Sequence, residues 1–241
     1  MKRFTTTLML SLLYYVLPAQ LSDKIWLGGY AEFPGVPGYG RFMLTFSGNA
    51  AQVQQFPLAF NFESTEAVAS TADGQLLFYS NGCEVANRLH LVMPNGFGLN
   101  PGDLSGQVCP WKGYLVPQGA MVLPMPGDTS RFYLIHMGAQ YEPKRKLRLG
   151  PLYYSIVDMK LNNGLGDVTS KNNVLLEDDL GSFTAVRHGN GRDWWLLVPA
   201  FGNTQWHIFL ISPQGIESLP PQTMSIGGLL CEHHGQTAVS P

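Results

Sequence analysis

The chain has 241 residues, 45% of them hydrophobic, enough for a sizeable core in one large or two small domains. Only 13% are charged, the formal net charge is -2, and Gly (27), Pro (17) and aromatics (12%) are frequent. This balance excludes a disordered chain, which lacks aromatics and carries charge, and gives no electrostatic reason to expect nucleic acid or an anionic membrane surface as partner.

Residues 1–20 read as an export signal: Lys2 and Arg3, an apolar run from Leu8 to Leu17, then the small residues of Pro18-Ala19-Gln20. The alternative is a short membrane anchor, but the run is well short of the ~20 residues that span a bilayer. No cysteine follows it closely, and no other stretch approaches spanning length. The mature chain is therefore expected to be secreted or at the cell surface, with no membrane span after signal cleavage.

From there the chain reads as strands and turns over 21–241. Ile25-Trp26-Leu27-Gly28 and Phe42-Met43-Leu44-Thr45-Phe46 open the series. A hairpin plan then recurs: a short small-residue strand, a polar turn, and an apolar aromatic strand. It appears at Glu66–Ser70, Asp73-Gly74 and Leu76–Tyr79. It returns at Gly119–Leu123, Pro126-Gly127-Asp128 and Phe132–Ile135, and again at Thr184–His188, Asn190-Gly191 and Trp194–Val198. Thr237-Ala238-Val239-Ser240-Pro241 begins a fourth copy. Asp-Gly and Asn-Gly supply the positive φ of a two-residue hairpin turn. The aligned alanines stand at 67, 120, 185 and 238, which are 53, 65 and 53 residues apart. Simple four-stranded propeller blades run about 40–50 residues, and loop insertions account for the excess. Tyr153–Asp158 and Trp206–Ile211 are read as outer strands, and no segment after the signal keeps helical periodicity over three turns.

The expected fold is all-β: a β-propeller-like array of about three and a half four-stranded blades. A β-sandwich is the alternative, but it has no reason to repeat one hairpin at near-constant spacing. Closed propellers have about 4–8 blades, so the sequence is expected to be an incomplete N-terminal fragment, with further blades and domains in the full-length chain.

Cys83, Cys109 and Cys231 follow the signal. In an exported chain Cys83 and Cys109 are expected to pair across the Gly/Pro/Asn-rich stretch between them; the alternative is three free thiols.

The chain resembles a family of large secreted bacterial propeller proteins, described as WD40-like or PD40-like. Longer members of that family end in a type IX secretion sorting domain or a gliding-motility-associated C-terminal domain. The resemblance rests on Asp73-Gly74-Gln75-Leu76-Leu77-Phe78-Tyr79-Ser80-Asn81-Gly82-Cys83, Asn87-Arg88-Leu89-His90 and Val92-Met93-Pro94-Asn95-Gly96. It continues through Tyr154–Met159, Gly164–Thr169, His188–Trp195 and Gly235-Gln236 with Val239-Ser240-Pro241. It implies a secreted or surface protein without enzymatic activity; the sorting domain of the longer members is missing from the sequence.

Candidate chemistry is sparse. Cys231-Glu232-His233-His234 is the most metal-like cluster, but neighbours on an extended strand point to opposite faces, so no metal is expected. His90, His136, His188 and His207 are scattered, and no nucleophile elbow, zinc-protease or phosphate-loop motif occurs. Glu63 with Glu66, and Asp178 with Asp179, are the nearest carboxylate pairs. Lys144-Arg145-Lys146 with Arg148 reads as a solvated loop. Asp193-Trp194-Trp195 is either an aromatic platform or packing between blades. No cofactor is expected. The functional expectation is a non-catalytic binding or scaffolding module for an unknown surface protein or glycan. Its contact loop lies within Asn81–Gln118 and includes His90, Trp111 and Tyr114, since function concentrates on loops carried by rigid scaffolds. The rival expectation is a secreted carbohydrate-active enzyme with carboxylates in the propeller channel.

Overall fold

The computed structural model describes residues 24–30, 40–47, 50–55, 57–143, 147–202 and 204–223. The expected export signal, Lys144–Lys146, the Cys231–His234 cluster and the expected fourth hairpin copy lie outside these residues.

The architecture is four consecutive antiparallel sheets, each a simple meander in chain order. Sheet 1 holds β1 (Ile25–Gly28), β2 (Phe42–Ser47) and β3 (Ala50–Gln55). Sheet 2 holds β4 (Ala67–Ser70), β5 (Leu76–Ser80), β6 (Glu84–Asn87) and β7 (Val92–Phe97). A short helix, α1 (Asp103–Val108), precedes sheet 3, which holds β8 (Ala120–Pro124), β9 (Arg131–Gln140), β10 (Arg148–Asp158) and β11 (Asp167–Leu176). Sheet 4 holds β12 (Thr184–Arg187), β13 (Trp194–Pro199), β14 (Gln205–Ser212) and β15 (Gly215–Thr223). The all-β, propeller-like expectation is met, and the aligned Ala67, Ala120 and Ala185 sit on the innermost strands β4, β8 and β12. Strand β1 lies beside β4, and β4 beside β8. Ala67, Ala69 and Ala120 lie in the layer between β4 and β8, and their small side chains let those two strands approach.

Strand alternation explains the packing. On β5, Phe78 points into the layer shared with sheet 3 and Tyr79 into the layer shared with sheet 1. On β9, Phe132 and Leu134 meet sheet 2, whereas Tyr133, Ile135 and Met137 meet Leu196, Val198, Phe209 and Ile211 of sheet 4. Period-two alternation thus gives every middle sheet two buried faces, with one apolar layer between successive sheets. Phe78 and Phe132 cross their layer edge to face at 5.4 Å, a favoured aromatic geometry.

The hairpin turns are longer than the expected two residues. Thr71 pairs with Gln75 and His188 with Asp193, while Met125 N–H donates to Arg131 O. Acidic and amide side chains hold these loops. Asp128 Oδ1 accepts from the Ser130 and Arg131 N–H groups, and Asn190 Oδ1 from those of Arg192 and Asp193. Short polar side chains that bond nearby backbone supply the turns that Asp-Gly and Asn-Gly were expected to make.

Three further departures have physical reasons. The outer strands β3 and β15 are largely exposed and β11 is mostly half-buried and polar, so they carry little hydrophobic signal. About a quarter of the Asn81–Gln118 stretch is β6 and β7, not loop. Helix α1 has six residues, too few for sustained periodicity, and buries only Leu104 and Val108.

Candidate functional site

In a meander of four strands, the turns between second and third strands and the connections between sheets fall at the same end. Of the described residues, that end carries 57–66, 81–83, 98–119, 141–143 and 177–183. The turns at 71–75, 88–91, 125–130 and 159–166 lie at the other.

The 98–119 segment is built into the core at this end. Leu104 and Val108, one helical turn apart, are buried with Tyr114 and Val116 against β9. Tyr114 is 1% exposed, and its hydroxyl accepts from the Ala139 N–H at 2.8 Å. Burial pushes that hydroxyl up to about 12. The Cys83–Cys109 disulfide forms, with Cα atoms 5.6 Å apart, and ties the end of α1 to the start of β6. Asn81 completes the anchor: its Oδ1 accepts from the Cys83 and Glu84 N–H groups, its Nδ2 donates to Asn61 O, and its carbonyl accepts from Tyr114 N–H. Gly82 has φ 79, and a Cβ there would stand 2.7 Å from the Tyr114 Cβ, so only glycine fits beneath the segment.

A cleft flanks the segment on each side. The first, about 440 Å3, lies between α1 and the ends of β9 and β10, with Asp103, Gln107, Gln140, Tyr141 and Tyr153 in its walls. The second, about 430 Å3, lies toward sheet 1, with Arg41, Phe60, Asn61, Glu84 and Trp111 in its walls. Burial raises the Glu84 carboxyl above its usual range.

A buried polar chain lies beneath the first cleft. His136 and Ser155 are both fully buried. Asn100 Nδ2 donates to Gly82 O at 3.0 Å, so its Oδ1 faces His136 Nδ1 at 2.7 Å and accepts a proton from it. Ser155 Oγ accepts the Asn172 N–H at 3.1 Å and donates to His136 Nε2 at 2.9 Å. Every proton in the chain is placed, and burial holds the imidazole neutral, down to about 3. Ser–His–Asn is the connectivity of an activated nucleophile. Here the serine reaches no solvent and already accepts a backbone N–H, so the chain joins sheets 2 and 3. Tyr153, in the cleft wall, stacks on His136 at 5.6 Å and 27°.

The residues singled out from sequence do not come together. Trp111 is 71% exposed and lines the second cleft. Tyr114 is interior, as described. His90 sits in the β6–β7 turn at the opposite end, where its Nδ1 meets Tyr79 Oη at 3.1 Å. The sequence marked aromatics and histidines in this stretch but could not tell which face each would take. It also left Tyr141 and Gln107 unremarked and read Tyr153 only as a strand residue; the long β9–β10 hairpin that presents the tyrosines was the missing signal.

The carboxylates also separate. Glu63 is exposed, and Glu66 at the start of β4 has its carboxyl raised by burial. Asp178 Oδ2 meets His207 Nε2 at 3.1 Å, and Asp179 lies 3.9 Å from Arg148. Trp194 packs between sheets, its Nε1 donating to Pro124 O. Among the described residues no group of three metal-ligating side chains converges, and no helix is long and apolar enough to cross a membrane.

No protein-family model, curated protein or solved structure matches the chain.

Proposed function

We propose that the chain is a non-catalytic binding module of a secreted or cell-surface propeller protein, gripping a glycan or a surface protein through its loop-bearing end. The observation that carries this reading is the core-anchored 98–119 segment with a cleft on each flank. A ligand-gripping loop gains affinity when its ordering cost is already met, and the disulfide, Asn81 and Tyr114 meet that cost here. Binding sites are concave, with a few placed polar groups among aromatic side chains, and both clefts have that mix. The resemblance to secreted WD40-like proteins and the export signal support the location.

The test is a pair of arrays, glycan and peptide, probed with the chain and with Trp111→Ala and Tyr141→Ala, one substitution per cleft. The reading expects hits that at least one variant weakens. Blank arrays, or hits indifferent to both variants, overturn it.

A further inference from the structure

The two clefts differ in chemistry, and the first is the more specific. No Lys or Arg among the described residues lines it, and Asp103 is its one carboxylate. A site for phosphate or another anion would present cations or convergent N–H donors. This one instead presents two amides, Gln107 and Gln140, each both donor and acceptor. Its aromatic surface is also preset. Tyr153 is held by its stack on His136, and Tyr141 stands 55% exposed at the rim. A ring fixed by a buried hydrogen-bonded chain loses little freedom when a ligand packs on it.

Gly138 and Gly150 leave backbone bare along the β9–β10 side of the cleft. At Gly138 a Cβ would stand 3.0 Å from both Pro151 O and the Tyr153 ring, so a side chain there would push its neighbours apart, and at Gly150, with φ 117, a Cβ would stand 2.2 Å from Asp178 O. The volume of about 440 Å3 falls within the roughly 300–1,000 Å3 of small-ligand sites. Tyrosine faces, uncharged amides and one carboxylate around a shallow floor match one chemical class. A sugar ring offers C–H bonds on its faces and hydroxyls, both donors and acceptors, around its edge.

We propose that the cleft between α1 and the β9–β10 end is a binding site for a neutral mono- or oligosaccharide. Tyr141 and Tyr153 pack on the ring faces, Gln107 and Gln140 bond the hydroxyls, and Asp103 accepts from a vicinal pair. This deepens the binding-module reading and rests on it.

The experiment uses the full chain with its disulfide intact on an array of neutral, sialylated and sulfated glycans, beside a peptide array. Neutral hits are then titrated calorimetrically as free oligosaccharides. The expected result is binding to neutral glycans that Gln107→Ala or Gln140→Ala weakens roughly two- to tenfold each. Tyr141→Ala weakens it further, and Trp111→Ala leaves it unchanged. These side chains are exposed or at the rim, and an unchanged melting temperature shows that the variants remain folded. Binding confined to anionic glycans, or to peptides and lost in Trp111→Ala, overturns the saccharide assignment while the binding-module reading stands. Blank arrays overturn both.

Discussion

His136 is the residue whose burial has the plainest consequence in solution. A histidine held neutral in the folded state, down to about 3, titrates near 6.5 once unfolded. Between those values the unfolded chain binds the extra proton, so stability rises with pH through the window and is fully present above 6.5. At pH 5 the loss from this group is on the order of 2 kcal/mol. His90, also lowered by burial, acts in the same sense. Glu66 and Glu84, raised by burial, act in the opposite one. Asp128 and Asp193, held low by their hydrogen-bond partners, matter only below about pH 4. The contribution of His136 is therefore read by difference. Denaturant midpoints at pH 7.5 and pH 5 are compared for the chain and for His136→Gln, which keeps an amide able to bond Asn100 and Ser155. The variant should lose about 2 kcal/mol of the pH dependence. An identical pH dependence in both proteins would show that His136 is solvated.

At the scale of elements, the hairpins β4–β5, β8–β9 and β12–β13 were legible because each couples a small-residue strand to an apolar one across turn residues. Both features follow from position: inner strands must approach closely, and second strands are buried on two faces. The outer strands were hidden for the converse reason. β3 is Ala50–Gln55, exposed throughout, and β15 carries two prolines, tolerated at an edge where one side of the backbone needs no partner. Of the site, the Cys83–Cys109 disulfide could be read from the sequence, which offered the whole Asn81–Gln118 stretch as a contact loop without marking off 98–119. The clefts could not, because the first joins α1 to β9 and β10 and the second joins Trp111 to Arg41 and Asn61, stretches far apart in sequence. The disulfide itself makes an element-scale prediction. It closes a loop of 26 residues, worth about 3 kcal/mol in the chain-entropy account. The paired substitution Cys83→Ala with Cys109→Ala should lower stability by about that amount. It should also open 98–113 to protease, with new cleavages mapped by mass spectrometry. Strands β9 and β10 should stay uncut under the same conditions, since Ile135 and Leu152 are fully buried without it. If cleavage spreads evenly over sheets 2 and 3, the segment is part of the global fold rather than a locally pinned arm.

The whole molecule is a row of apolar layers, and its stability should be graded along that row. Sheet 3 is packed on both faces, against sheet 2 through Phe132, Leu134 and Val157 and against sheet 4 through Tyr133, Ile135 and Met137. Among the described residues sheet 1 is packed on one face. Ile25 and Leu27 meet Tyr79 and Ala86, while Trp26 and Val53 are exposed. Opening sheet 1 exposes only that one small layer, whereas opening sheet 3 exposes two. Local unfolding free energies follow the apolar area released. Hydrogen exchange should thus be fastest in β2 and β3 and slowest in the middle of β9 and β10, with β5 between them. Phe132→Ala removes one ring of the Phe78–Phe132 pair, at about 3–5 kcal/mol for a large core truncation. Because the pair crosses between sheets, exchange should accelerate in β5 as well as in β9, with β1–β3 unchanged. Acceleration confined to β9 would mean that the sheets open independently. The clefts beside the 98–119 segment would then move with one sheet, instead of being held between two.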